Sequence, residues 1–246
     1  MRTFTFITIT LFSGAIAGAI LGLINQGMVE PFIDKAIGIE TQKQVNAGKI
    51  IDFAQQSQYR IYQKEGEIVA ATVLGTSLAS LFGVVFAYSR SSLAGSNNKK
   101  KALILAGLMF FVLFLVPALK YPANPPAVGN PATIYYRESL FIGFIAVSGF
   151  STLGLALLYR KLGKNQSKRK IGIPLIIIYA AIMIGAYLVF PPNPDKITIP
   201  MDLIMSFRIA SVFTTSIFWG LLGIIFGAFW DKFKPHEISK EITSSI

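Results

Sequence analysis

The chain contains no cysteine and a single histidine, His236. Disulfides, thiolate metal sites and cysteine nucleophiles are therefore excluded, and so is a metal centre built on several imidazoles of this chain. Charge is scarce too. Asp, Glu, Lys and Arg make up 14% of the 246 residues, against about 25% in an ordinary soluble protein. Six long stretches carry no Asp, Glu, Lys, Arg or His: Phe4–Ile24, Ile68–Tyr88, Ala102–Leu119, Leu140–Tyr159, Ile171–Phe190 and Ile209–Trp230. Chemistry performed inside a membrane usually relies on Asp, Glu, His, Lys or Arg facing the protein interior, and none of these is present there. There is no HExxH, no nucleophile elbow and no glycine-rich phosphate loop. Neither an enzyme nor a permanently bound cofactor is expected.

What the chain does have is apolar bulk: 53% of its residues are hydrophobic. Each of the six stretches is close to the roughly 20 residues a helix needs to cross a hydrocarbon core about 30 Å thick. A barrel would instead show strands of about ten residues with alternating polarity. The expectation is an all-α integral membrane protein with six transmembrane helices, forming one transmembrane domain over residues 1–246 in the cell membrane. Ala15-Ile16-Ala17 resembles a signal-peptide cleavage site. The apolar run continues to Ile24, however, and only Arg2 precedes it, so the first span reads as a retained helix.

Loop charge sets the direction. Ser89–Lys101 holds four Lys or Arg and no acid, and Arg160–Lys170 holds six and no acid. Lys120–Ser139 and Pro191–Arg208 carry two basic residues each. The positive-inside rule places the two basic loops and both termini in the cytoplasm. The long first connection, Asn25–Glu67, is nearly balanced, with five basic and six acidic residues, and falls outside with the two proline-rich segments. The net charge of +11 is thus a topology signal that also meets anionic headgroups. No aromatic residues are interleaved for base stacking, and nucleic acid is not an expected partner.

The spans repeat one unit three times, approximately over 1–101, 102–170 and 171–246: helix, outer segment, helix, basic inner loop. Lys120-Tyr121-Pro122-Ala123-Asn124-Pro125-Pro126 follows one helix, and Pro191-Pro192-Asn193-Pro194 follows its counterpart. Each cluster leads to an arginine just before the next span, Arg137 and Arg208. Three repeated helical hairpins of equal orientation result. Small residues recur at intervals of four: Gly14, Gly18 and Gly22 in the first span, Gly75, Ala79 and Gly83 in the second, Gly223 and Gly227 in the sixth. Such stripes let backbones approach closely where lipid removes the hydrophobic drive.

Polar groups gather after the first span. Asn25, Gln26, Glu30 and Asp34 supply oxygen ligands of the kind hard and borderline divalent cations accept. Glu30 and Asp34 are four apart, so on one helix both face one side and could share an ion. The plainer reading is that they are solvated charges at a helix end, balanced by Lys35. Thr41–Glu67 is polar with scattered apolar residues, consistent with a surface helix or one docked on a partner. In the Tyr121–Pro126 segment proline removes amide donors and forces extended backbone; Arg137 and Arg208 either clamp the Pro/Asn segments by bonding their carbonyls or snorkel to headgroups.

The string KYPANPPAVGNPATIYYR, with Lys120, Tyr121, Pro122, Asn124, Pro125, Pro126 and Arg137 as its matching positions, resembles the CbtA family of cobalt transporter subunits. The small-residue-rich opening running into Gln26 and Pro31 is similar as well, and so is the last span behind Arg208. The resemblance implies a membrane protein that imports cobalt as substrate, alongside a small one-span partner with a histidine-rich segment. Two other readings stand beside it. One is a non-catalytic subunit of a larger membrane complex; the other is a carrier of a small neutral solute lined by Ser148, Ser151, Thr152, Thr214, Thr215 and Ser216.

Overall fold

A computed structural model describes residues 2–163 and 168–236. These residues are helical or irregular, and no strand occurs among them. Among them six helices are long and apolar enough to cross a membrane: Thr3–Met28, Phe53–Ser89, Asn98–Lys120, Pro131–Leu162, Lys170–Val189 and Met201–Phe233. Each expected window lies within one of them apart from Phe190, where the fifth has just ended. The basic stretch Arg160–Lys170 includes residues 164–167, which lie outside the described part.

The helices are α1 (Thr3–Met28), α2 (Glu30–Asn46), α3 (Phe53–Ser89), α4 (Asn98–Phe110), α5 (Val116–Lys120), α6 (Ile134–Leu162), α7 (Lys168–Val189) and α8 (Met201–Phe233). A π-helical turn at Phe111–Leu115 joins α4 to α5 in one continuous span, and a 3-10 turn at Pro131–Thr133 leads into α6. The chain divides into two compact units, one made of residues 1–109 and 209–246, the other of 110–208.

In the first unit α1 packs along the apolar half of α3 through glycine. A Cβ built on Gly14 would lie 2.5 Å from both the Gly75 carbonyl oxygen and the Ala79 Cβ. One on Gly18 would strike the Ala71 carbonyl, and one on Gly22 would come within 2.8 Å of the Ile68 Cα. From the other side, a Cβ on Gly75 would meet the Gly14 carbonyl at 2.5 Å, and one on Gly83 the Thr10 side chain at 2.8 Å. Helix α8 makes a second close approach, to α4. There Gly223 faces Ala106 and Leu103, and Gly227 faces Lys99 and Ala102. Dispersion between backbones at this range supplies the attraction that burial from water supplies in a soluble protein.

Hydroxyls in these two spans create no polar gap, because they bond back into their own helices. Thr10 donates to the Phe6 carbonyl and Ser13 to Ile9, and on α3 Thr72 and Thr76 donate to carbonyls four residues earlier. An aromatic cluster fills the unit near the end of α8: Phe82, Phe86, Phe226 and Trp230 meet largely edge to face. The N-terminus of α4 is capped from a distance. The Asp231 carboxylate accepts from the Asn98 side chain (2.7 Å) and the Lys99 amide (3.2 Å), while Asn97 accepts from the Lys100 amide. These are donors the helix itself leaves unpaired.

Helix α3 has 37 residues, about 55 Å at 1.5 Å per residue, nearly twice the hydrocarbon thickness. Its first part, up to Glu67, therefore stands beyond the apolar core and pairs with α2. Asp52 caps it by accepting from the Ala54 and Gln55 amides, and Gln56 donates to Thr41 on α2 at 2.8 Å.

In the second unit Phe144 sits at the centre, with Val116 and Met183 buried beside it. Tyr121 and Phe190 close on the Phe144 ring edge to face, at centroid distances of 5.9 and 5.3 Å. Much of α7 is uncovered by protein, with Ile173, Ile176, Ile177 and Leu188 all more than half exposed.

The glycine seam gives a direct test. Gly14→Ala and Gly18→Ala should each cost about 1–3 kcal/mol, the usual range for overpacking, and lower the thermal midpoint of the protein in detergent. Gly154→Ala, at a position with nothing within 4 Å of the new Cβ, should leave it unchanged or slightly raised. Equal midpoints for all three would refute the seam.

Candidate functional site

Two polar clusters, one in each unit, hold the residues singled out from the sequence. The first lies where α1, α2 and the start of α3 meet. Glu30 opens α2 with Pro31 behind it, and Asp34 follows one turn later, so both carboxylates face α3. Arg60 of α3 bonds both: its Nη2 donates to the Glu30 carboxylate and to Asp34 Oδ1, the latter at 2.9 Å. Its Nη1 donates to Gln63. Lys64, one turn on, reaches Asp34 Oδ2 at 2.7 Å, and its backbone carbonyl accepts from Gln26 Nε2 at 2.9 Å. Glu30 is buried, at 5% exposure.

Glu67 continues the same face of α3, at helical spacing from Arg60 and Lys64. Two acceptor atoms in this region are buried without a hydrogen-bond donor: Asn25 Oδ1 and Glu67 Oε2. The sequence drew attention to Asn25, Gln26, Glu30 and Asp34. It gave no sign of Arg60 as the common partner of Glu30 and Asp34, nor of Glu67 with its Oε2 left over, because both come from a helix more than twenty residues away. Among the described residues no group of three or more His, Asp or Glu side chains is placed to hold a metal ion.

The second cluster is built on the Lys120–Pro126 string and the segment after α7. Lys120 donates to the Tyr187 carbonyl at 2.8 Å and lies over the Tyr187 ring. Tyr121 donates its hydroxyl to the Pro191 carbonyl at 2.6 Å. Burial raises the Tyr121 pKa, with the neighbouring Tyr136 adding to it, so the phenol keeps the proton it donates. Arg208 clamps the string itself: Nε donates to the Ala123 carbonyl (3.2 Å) and Nη2 to Asn124 Oδ1 (2.7 Å). Pro125, buried within the string, offers no amide to satisfy.

Arg137 ties the other end. Its Nε lies 2.8 Å from Asp195 Oδ2, and its Nη2 donates to the Asn130 carbonyl at 3.4 Å. The Asp195 carboxylate also accepts from the Asn130 amide (3.1 Å) and the Thr133 hydroxyl (2.7 Å). Gly129 makes this approach available. It has φ +108°, and a Cβ there would stand 2.7 Å from Asp195 Oδ2. Asp195 was not legible as a partner of Arg137, since 58 positions separate them; the only hint was a lone acid in a Pro/Asn-rich segment. A cleft of about 490 Å³ opens beside the string, lined among others by Tyr121, Asn124, Arg137 and Asn193.

Four of the six hydroxyls that would line a path for a neutral solute are otherwise engaged. Thr152, Thr214 and Ser216 donate to carbonyls of their own helices, and Ser148 bonds across to another span.

These features define a polytopic helical membrane protein whose spans are neutral and whose charged side chains pair beyond the apolar core. The CbtA family profile, described as a probable cobalt transporter subunit, matches residues 3–231. The chain belongs to the CbtA family. No curated protein and no solved structure gives a match.

Two tests follow from the first cluster. Removing one partner of a buried ion pair costs roughly 3–5 kcal/mol, whereas an exposed pair is worth about 0–1 kcal/mol. Arg60→Ala should therefore destabilise the protein far more than Lys64→Ala; similar midpoints would contradict the assignment. Asp34 gives a pH dependence. Burial pushes its pKa up, but hydrogen bonds from Lys64 and Arg60 outweigh that and hold it below the ordinary value. Its contribution is then fully present above the unfolded pKa of about 3.9 and is lost as pH falls through the folded value. In acid melts, Asp34→Asn should flatten this limb; a slope unchanged by the substitution would show that another carboxylate governs it.

Proposed function

We propose that this chain is the membrane subunit that carries cobalt across the cell membrane, acting with a small one-span subunit that supplies histidine. The observation that carries this reading is the family match over residues 3–231. Cobalt is cargo in this scheme, not a resident cofactor, and the chain performs no covalent step. The two basic loops argue for cytoplasmic termini and for three hairpins of equal orientation. On that orientation the Glu30 cluster and the Lys120–Pro126 string both face outward.

The ion is held at Asn25, Glu30 and Glu67. Asn25 Oδ1 and Glu67 Oε2 lack donors, and Glu30 lies one helix away on the same polar face. Gln26 and Asp34 hold Lys64, and so fix the face of α3 that carries Glu67. A site with two carboxylates and an amide is weak by the standards of a structural metal centre, as suits an ion that must leave again. Further imidazole has to come from elsewhere, because this chain has a single histidine, His236. The exposed apolar flank of α7 supports a second reading, an accessory subunit of a larger complex, since lipid or another protein must cover it.

Uptake of labelled cobalt by sealed vesicles holding the purified chain, with and without a histidine-rich partner, separates the two. The transporter reading expects uptake selective for cobalt over nickel and zinc, reduced by Glu67→Gln. No uptake in either preparation, with the chain co-purifying stoichiometrically with another membrane complex, would establish the accessory role instead.

A further inference from the structure

The π-helical turn at Phe111–Leu115 has a cause in the sequence, Pro117. Proline has no amide proton, so one carbonyl of this span must go without a backbone donor, and the hydrogen-bond spacing decides which one. With α spacing the carbonyl facing Pro117 is that of Leu113. In the structure the Val116 amide bonds the Phe111 carbonyl, five residues back. At that spacing the carbonyl facing Pro117 is that of Val112.

The Val112 carbonyl is served from another span. Ser148, fully buried on α6, donates its hydroxyl to it at 2.6 Å. The Ser148 oxygen in turn lies 2.8 Å from the Tyr179 hydroxyl of α7. Serine has one proton and has spent it, so Tyr179 is the donor. A chain of two hydrogen bonds therefore joins the middles of three spans within the second unit. It differs from the hydroxyls of Thr10, Ser13, Thr72 and Thr76, which bond back into their own helices. A bilayer offers no water to a carbonyl without a donor, so these two bonds hold the π spacing in place. The division of the chain into two units also falls here, between Met109 and Phe110.

We propose that this turn is a two-register switch. With the Tyr179–Ser148 bonds made, the span keeps π spacing and Val112 is the carbonyl without a backbone donor. When they release, Val116 returns to the Val112 carbonyl, the span takes α spacing and Leu113 becomes the unserved carbonyl. The change removes one residue's worth of bulge. It turns the Val116–Lys120 end, with the Tyr121–Pro126 string attached, by about 100° about the helix axis. Three neutral oxygens cannot compensate a divalent charge inside the bilayer, so the node is a moving part and no resting place for the ion.

The absence of native cysteine makes the test direct. Leu103→Cys and Leu119→Cys, both at exposed positions flanking the turn, carry spin labels on the full chain in lipid nanodiscs without cobalt. The switch predicts two distances between the labels. Tyr179→Phe shifts the population toward the minor one. Pro117→Ala, which restores the missing donor, collapses the pair to a single distance. One distance shared by the parent and Pro117→Ala, or populations that Tyr179→Phe leaves unmoved, would overturn it. For its role in transport the switch rests on the uptake reading: Pro117→Ala should bind cobalt yet turn over at least tenfold more slowly, and unchanged turnover would confine the turn to a structural role. Because the distances are read without cobalt, their failure is distinguishable from a failure of uptake.

Discussion

A bilayer interior holds no water to satisfy a polar group and gives apolar helices no reason to leave lipid for one another. That constraint organises this protein. Its spans are neutral, their hydroxyls are returned to backbone carbonyls, and their attraction comes from glycine faces that let main chains touch. Charge is moved to the ends of the helices. There Arg60 and Arg208 each bond two groups from distant parts of the chain, and Arg137 bonds the distant Asp195 as well as the nearby Asn130 carbonyl.

The two clusters use this in different ways. In the second unit the polar bonds hold the string and the segments that flank it. Arg208 holds the Tyr121–Pro126 string, Asp195 and Arg137 hold its continuation, and Tyr121 ties it to Pro191. The distinctive residues of the family string are thus spent on a rigid surface of carbonyls and rings beside a cleft. In the first unit the charges balance less evenly. Two cations on α3 serve Glu30 and Asp34, while acceptors on Asn25 and Glu67 are left over. On the proposed reading these buried oxygens are ligands for a cation that reaches them.

The six spans were legible because length and apolar composition suffice when no charged residue interrupts the run. The glycine stripes at Gly14, Gly18 and Gly22 were legible as a face, since helical spacing places them together; that they meet Gly75 and Ala71 required the fold. The pairing of α2 with the start of α3 was hidden because its apolar residues follow no clean period. The partners of Glu30 and of Arg137 were hidden by separation along the chain. Pro117 was visible within an apolar window, but the turn it causes depends on Ser148 and Tyr179, which only the packing of three spans brings to the Val112 carbonyl.

The central claim is that cobalt is met in this chain by oxygen, from Asn25, Glu30 and Glu67. X-ray absorption at the cobalt edge on metal bound to the purified protein in lipid tests it most directly. The account predicts a first shell of oxygen scatterers that is altered by Glu67→Gln. A shell dominated by imidazole, or one indifferent to Glu67→Gln, would contradict it.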